Sequence, residues 1–294
     1  MTIDWIDHVV LPVKSLEEAS AAYERLGLTL TPVTRHAGLG TENRVFFVGD
    51  GTNDFYVELL AIHDRAAAEH QARAAMYVKA LDDGRGLSRL MLGSSDLAGT
   101  VAQLAGKGVD TAIEPVSREG GAKICDVAPL EGATGIGMPA GVVQYVESRE
   151  ASHARRAGAG LFAHGFPLKR LDHLAAMAPD IETATRAWTD LLGVPVFGEI
   201  RAPGMIIRQL KMGDAILELL GPDAPESPMA SRPAGIASMC AFEVAGRLDD
   251  AVALARERGF TPSEPRTGVL PGTRVATIPG TELSGVGVQL LEYV

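Results

Sequence analysis

The chain has little cysteine. Its 294 residues contain two, Cys125 and Cys240, without metal-ligand spacing, and both read as small, reduced core residues. No apolar run approaches the ~20 residues needed to cross a bilayer. The opening Met1-Thr2-Ile3-Asp4 carries no basic stretch leading into an apolar one, so the expectation is no secretion signal and a cytoplasmic location. Basic charge is scarce as well: 27 Lys and Arg face 37 Asp and Glu, for a net charge of −10 and a pI near 5.2. Such a surface repels phosphate backbones and anionic lipid, which excludes nucleic acid and membrane as expected partners. Phosphate-cradling motifs are missing too. Gly132, Gly135, Gly137 and Gly141 do not spell GxGxxG and lead into a strand, as a hairpin loop would, and Gly106-Lys107-Gly108 lacks the following Ser or Thr of a P-loop. No nucleotide cofactor is expected.

What is present is a repeat. Ile6-Asp7-His8-Val9-Val10-Leu11 returns as Leu171-Asp172-His173-Leu174-Ala175-Ala176. After similar separations, Phe55-Tyr56-Val57-Glu58-Leu59-Leu60 returns as Ala215-Ile216-Leu217-Glu218-Leu219-Leu220. An internal repeat constrains architecture before any single element does. Alternation in the first segment puts Ile6, His8 and Val10 on one strand face and Val9 and Leu11 on the other, with His8 and His173 expected to point into cavities. Ser15 is a fitting N-cap, followed by helical spacing of Leu16, Ala19, Ala22, Tyr23 and Leu26 and a stop at Gly27. Strands are expected around residues 29–33, 44–48 and 54–62, with a polar, glycine-rich loop over 36–43 and a partly helical connector over 63–83. A second unit begins with a strand at 87–92 and a helix at 97–107, and ends in a strand at 142–146. The change of composition near Arg155-Arg156 predicts a first domain over 1–148, a linker over 149–167 and a second domain over 168–294. Two further units follow the same order, with helices ending near Leu192 and Arg258 and a last strand at 287–291.

Four βαβββ units in two pairs resemble the vicinal oxygen chelate superfamily, which includes glyoxalase I, methylmalonyl-CoA epimerase, extradiol dioxygenases and bleomycin-resistance proteins. Residues 35–43 and Val57-Glu58-Leu59 make the first half similar to a glyoxalase-like domain. Leu171-Asp172-His173, Leu191-Leu192-Gly193 and Leu217-Glu218-Leu219-Leu220 make the second half similar to the epimerase branch. The resemblance implies an α+β fold: two tandem domains, each a cupped mixed sheet with helices outside. It also implies a small-molecule substrate and a divalent metal (Zn, Ni, Co, Mn or Fe) inside the cup, and a homodimer is a candidate assembly. The matching ligand positions are His8, Glu58, Arg89 and Gln144 in the first half, and His173, Glu218, Met239 and Gln289 in the second. Arginine cannot ligate a cation and a thioether is a poor ligand for hard metals, so His8, Glu58, Gln144, His173, Glu218 and Gln289 remain as candidates.

Several readings stand open at this point. Arg89 pairs with Glu58 beside His8 without metal, or its guanidinium clamps an anion. Glu218 is held by a metal, stays protonated, or bonds to His173 or Gln289. Unit one pairs with unit two, or with unit three. His36 is the general acid–base candidate by residue type, or an exposed loop histidine, and Glu58 and Arg89 complete the catalytic set. The implied function is a metal-assisted isomerase or lyase that stabilises a carboxylate or enolate oxygen. The alternative is a metal-free binding protein of bleomycin-resistance type, with extradiol dioxygenase behind both because neither half shows two His and one carboxylate at the four expected positions.

Overall fold

The computed structural model describes residues 3–117, 121–130 and 132–294. The first half holds β1 (Trp5–Val13), β2 (Thr34–Arg35), β3 (Thr41–Val48), β4 (Phe55–Ile62), β5 (Arg89–Gly93), β6 (Glu114–Ser117), β7 (Lys123–Pro129) and β8 (Ala140–Tyr145). These form one curled mixed sheet in the order β2-β3-β4-β1-β5-β8-β7-β6. The second half repeats it with β9 (Leu168–Met177), β10 (Val196–Ala202), β11 (Met205–Met212), β12 (Ala215–Gly221), β13 (Gly235–Val244), β14 (Arg266–Thr267), β15 (Thr273–Ile278) and β16 (Gly287–Tyr293). Their order is β10-β11-β12-β9-β13-β16-β15-β14. The seam of each sheet is an antiparallel pair, β1 with β5 and β9 with β13, so neighbouring units pair and the exchanged pairing does not occur.

Sequence chemistry explains the elements. The helix α1 (Leu16–Leu26) starts where Ser15 Oγ accepts the Glu18 amide and stops at Gly27 in the left-handed region. Its buried Leu16, Ala19, Tyr23 and Leu26 pack on Val9 and Leu11, the outer face of β1. The same core continues through Leu174 and Ala176 of β9, and Phe242 of β13 lies 6.3 Å and 6.2 Å from Phe46 and Phe55. The helix-covered faces of both sheets therefore share one core, and the cups open on the opposite faces. No helix among the described residues is long and apolar enough to cross a membrane.

Two expectations are corrected. Residues 29–33 run beside β3, where Thr31 exchanges bonds with Val45, but Pro32 has no amide hydrogen to extend a ladder and the strand forms at Thr34–Arg35 instead. The expected loop over 36–43 is shorter, since β3 begins at Thr41. Gly40 makes the turn at φ +65°, where a Cβ would strike the Asp64 carbonyl. Within the segment expected as a linker, residues 149–158 form a helix, α5 (Arg149–Gly158), N-capped by Ser148.

His164, beyond α5, fastens this segment to the first sheet. Its Nδ1 accepts from the Thr29 amide at 3.0 Å and its Nε2–H donates to the Phe47 carbonyl at 2.6 Å, a pair of bonds that only the neutral ring makes. Burial pulls its pKa below the ordinary value and outweighs the Phe47 bond, which acts the other way. A depressed folded-state pKa contributes stability above about pH 6.5, lost as pH falls through the folded value, at no more than about 1.4 kcal/mol per pH unit for one proton. His164→Gln is therefore expected to lower Tm at pH 7.5 and to flatten the fall in Tm between pH 7 and pH 5. Parallel wild-type and variant profiles in calorimetry would reject this role.

Candidate functional site

The inner face of the first sheet lines a cavity of about 290 Å³ that includes His8, His36, Glu58 and Arg89. Register brings these groups together. Val10 stands opposite Glu58 on one side and Arg89 on the other, and His8 opposite Tyr56 and Met91. Val9 and Leu11 turn to the core while His8 turns inward, as the alternation predicted, but Ile6, expected on the face of His8, packs in the core with Val9 because the register with β5 shifts between Ile6 and His8. His8, Glu58 and Arg89 are only 7–8 % exposed, so each needs partners within the cup.

Asp7 is the residue that sequence reasoning passed over. His8 Nδ1–H donates to Asp7 Oδ1 at 2.6 Å, and Trp5 Nε1 (3.0 Å) and Tyr145 OH (2.8 Å) donate to the same carboxylate. Burial pushes the Asp7 carboxyl up, but the His8 bond and charge and the two other donors overcome this and hold it below the usual carboxylate range. His8, stacked on Tyr56 at 4.2 Å, is thereby fixed with Nε2 towards Glu58 Oε2, 3.8 Å away. His36 Nε2 stands 3.8 Å from the other oxygen, Oε1. The Asn43 amide lies between them, donating to Glu58 Oε1 at 2.6 Å and approaching His36 Nε2 at 3.3 Å, while His36 Nδ1 meets Thr41 Oγ1 at 2.8 Å. Glu58 is thus flanked by two imidazoles. Cys125 also lines the cavity, but burial and nearby carboxylates push its thiol up to about 12.

Arg89 does not form the ion pair with Glu58 that sequence reading allowed. Among the described residues its guanidinium has one long hydrogen bond, Nη1 to Tyr77 OH at 3.4 Å, and its buried Nε has no partner. Gly141 gives it room. In the parallel pairs Met91 faces Gly141 and Ala241 faces Gln289, so Gly141 is the counterpart of Gln289, and a Cβ there would lie 3.3 Å from Arg89 Nη2.

Gln144 is accordingly corrected. Its side chain lies outside the cup, bridging the Leu97 amide and the Ser95 carbonyl at 2.9 Å each, at the start of α4 (Leu97–Gly106). Tyr145 faces inward in its place. The doublet Asp-His, written twice, was the signal for Asp7. Gly141 had none, because the parallel register that defines it is visible only in the sheet.

The second cup is smaller, about 140 Å³, and brings His173, Glu218, Met239 and Gln289 together. Asp172 Oδ1 accepts from His173 Nδ1–H at 2.8 Å and Tyr293 OH donates to its Oδ2 at 2.6 Å, as Tyr145 does to Asp7. Glu218 Oε2 lies 4.0 Å from His173 Nε2 and its Oε1 accepts from Gln209 at 2.9 Å. Burial works against a charge on His173, but the Asp172 bond and the Glu218 charge prevail and raise its pKa.

Among the described residues no three His, Cys, Asp or Glu side chains stand close enough to hold a metal. The first cup does not fit one: a buried guanidinium and a glycine occupy two of the four positions, and Asn43 already engages Glu58 and His36. The second cup fits better, since His173, Glu218 and Gln289 are nitrogen and oxygen donors on one cavity with no buried cation among them.

A family model for a glyoxalase-like domain matches residues 6–153, and one for the glyoxalase/bleomycin resistance protein/dioxygenase superfamily matches residues 172–277. Among solved structures, a hypothetical protein from Staphylococcus aureus is 10% identical with a TM-score of 0.64, over 97% of this chain and 98% of that one. A variant of 4-hydroxymandelate synthase from Streptomyces coelicolor is 13% identical with a TM-score of 0.63, over 100% of this chain and 93% of that one. Methylmalonyl-CoA epimerase from Mycobacterium tuberculosis is 24% identical over 44% of this chain and 91% of that one, with a TM-score of 0.40. The first two likenesses show the fold. No curated protein matches the sequence. With half of its length matched by the first family model and a second such domain behind it, the chain belongs to the glyoxalase-like family of the vicinal oxygen chelate superfamily.

Proposed function

We propose that the first cup is the working site and that it takes a small oxygenated molecule through a carboxylate or enolate oxygen held by Arg89. One observation carries this: a buried guanidinium with an unpartnered Nε and, among the described residues, no carboxylate within ion-pair distance faces an open cavity. An unpaired buried cation is costly, and an anionic ligand relieves that cost while using donors the protein leaves free. Glu58, between His8 and His36, is the base. It takes a proton from the carbon next to the carboxylate, the electron pair passes into the enolate, and Arg89 stabilises the charge on its oxygen. Returning a proton through His36 completes an isomerisation, and departure of a β-substituent completes a lyase step. A divalent ion, where the fold employs one, would be held in the second cup by His173, Glu218 and Gln289, and would there polarise a bound oxygen.

Asn43, Thr41 and Asp7 already satisfy Glu58, His36 and His8, which favours the second reading, a metal-free binding protein. Exchange of the α-proton of short carboxylates in deuterated water, followed by NMR beside calorimetric binding, separates the two. Exchange is expected in the wild type, with Glu58→Gln slowing it about 10²–10⁴-fold while binding persists. Binding without exchange in the wild type leaves the binding protein, and carboxylates that do not bind at all overturn both.

A further inference from the structure

Among the described residues four arginines, Arg73, Arg89, Arg155 and Arg156, line the first cavity, against a single carboxylate, Glu58. This is the reverse of the chain's overall −10. Two of the four are neutralised locally, Arg73 by Glu114 and Arg155 by Glu147. Arg89 is not, and Arg156 has only the longer-range attraction of Glu147, which Arg155 already pairs. In the last turn of α5, Arg156 lays its guanidinium over the Phe47 ring, 4.3 Å from the centroid, and among the described residues it has no hydrogen bond or ion pair. A guanidinium stacked on a ring keeps its N–H edge free in the plane, where it meets an anion bidentately.

The two cations sit apart. Phe47, beneath Arg156, lies on β3 opposite Tyr56, which is opposite His8, whereas Arg89 lies on β5 opposite Val10. From β3 to β5 is three strand spacings, roughly 14 Å along the sheet. Curvature and the lengths of the two side chains shorten the gap that a ligand must bridge. Much of the cavity wall is apolar, with Phe47, Met91, Ile124, Val127 and Val143, while Tyr56, Glu58 and His8 stand on the two strands between the cations. Such a wall strips water from a hydrocarbon spacer and from the charges at its ends, which strengthens both ion contacts.

We infer that the substrate is a dianion, with its reacting carboxylate on Arg89 and a second anionic group, carboxylate or phosphate, on Arg156 at the far end of an apolar spacer. This rests on the assignment of Arg89 as the anion holder. It makes Arg156 a specificity-determining residue supplied by the segment between the two sheets.

Calorimetric titration of the full chain tests it with pentanoate and hexanoate as monoanions, glutarate, adipate and pimelate as dicarboxylates, and 3-phosphonopropionate as the phosphate-type probe. At least one dianion is expected to bind about tenfold or more tighter than the monocarboxylates. Arg156→Gln should erase that advantage and leave monocarboxylate binding within about twofold, which also shows that the cup is intact; Arg156→Lys should keep part of it. The arm with the larger advantage identifies the second group. Dianions no tighter than monoanions, or an advantage that survives Arg156→Gln, overturn the inference and leave Arg156 as a cover on Phe47. If no carboxylate binds the wild type, the assignment of Arg89 itself fails.

Discussion

Arg89→Met is expected to raise the stability of the unliganded protein while removing most of its affinity for carboxylates. The two effects have one cause. The guanidinium is buried, its Nε is unpartnered, and Tyr77 OH at 3.4 Å is a weak acceptor, so the free protein bears a desolvation cost that no ion pair returns. Methionine is shorter but unbranched, flexible and close to arginine in volume, and it suits surroundings that include Met91 and Gly141. Replacing poorly paired buried charge with apolar side chains of similar volume has stabilised proteins by about 1–4 kcal/mol. Glu58 is not stranded by the change, because Asn43 still donates to it at 2.6 Å and two imidazoles stand within 3.8 Å. The lost charge-assisted bond should weaken carboxylate binding by about 1.5–3 kcal/mol, roughly 10- to 150-fold. Calorimetric melting and titration on the same preparations read both quantities. A variant that melts lower and binds carboxylates as before would sink the assignment of Arg89 as an anion holder.

A second change attacks the same arrangement from the other strand. Gly141→Glu is expected to capture Arg89 and close the anion site. The backbone at 141 does not need glycine's left-handed region, and an added Cβ would meet only the ends of the Met91 and Arg89 side chains, at 3.1–3.3 Å. The new carboxylate would take the free guanidinium edge, so carboxylate affinity should drop by an amount like that for Arg89→Met, with no loss of fold. Combining Gly141→Glu with Arg89→His goes further, since His8 and Glu58 would then face a second His and Glu at the two remaining positions. That four-donor set suits zinc or nickel. After stripping with chelator, the double variant should take up one more equivalent of metal per chain than the wild type, measured by elemental analysis. Equal uptake would show that the four positions do not converge on one point.

The features that could be read from the chain were local or repeated. Ser15 and Gly27 bound α1 as a cap and a left-handed stop should, and the alternation of Ile6–Leu11 put His8 inside and Val9 outside. The doubled Asp-His and the doubled apolar run with its glutamate marked the two cups. Features set by distant pairing were not readable. The resemblance assigns Gln144 as a ligand position, whereas parallel pairing between β5 and β8 places Gly141 there. The absence of an Arg89–Glu58 ion pair depends on where two side chains on different strands point, which no spacing records. The helix over residues 149–158 lay hidden in a composition rich in Ala, Gly and Arg that suits a linker equally well.

The back-to-back arrangement of the two sheets bears on how such a protein changes over evolutionary time. The residues that hold it together, from Val9 and Leu11 to Leu174 and Ala176, lie in one core on the faces away from the cups, and the cavity-lining residues lie on the opposite faces. Substitutions inside a cup therefore leave that shared core in place, and the cup with Arg89 and Gly141 keeps the same strand order as the one with Met239 and Gln289. Two cups on one chain can also diverge separately, one towards cationic anchoring and the other retaining oxygen and nitrogen donors. A full-length structural match at 10% identity is what that separation of labour permits.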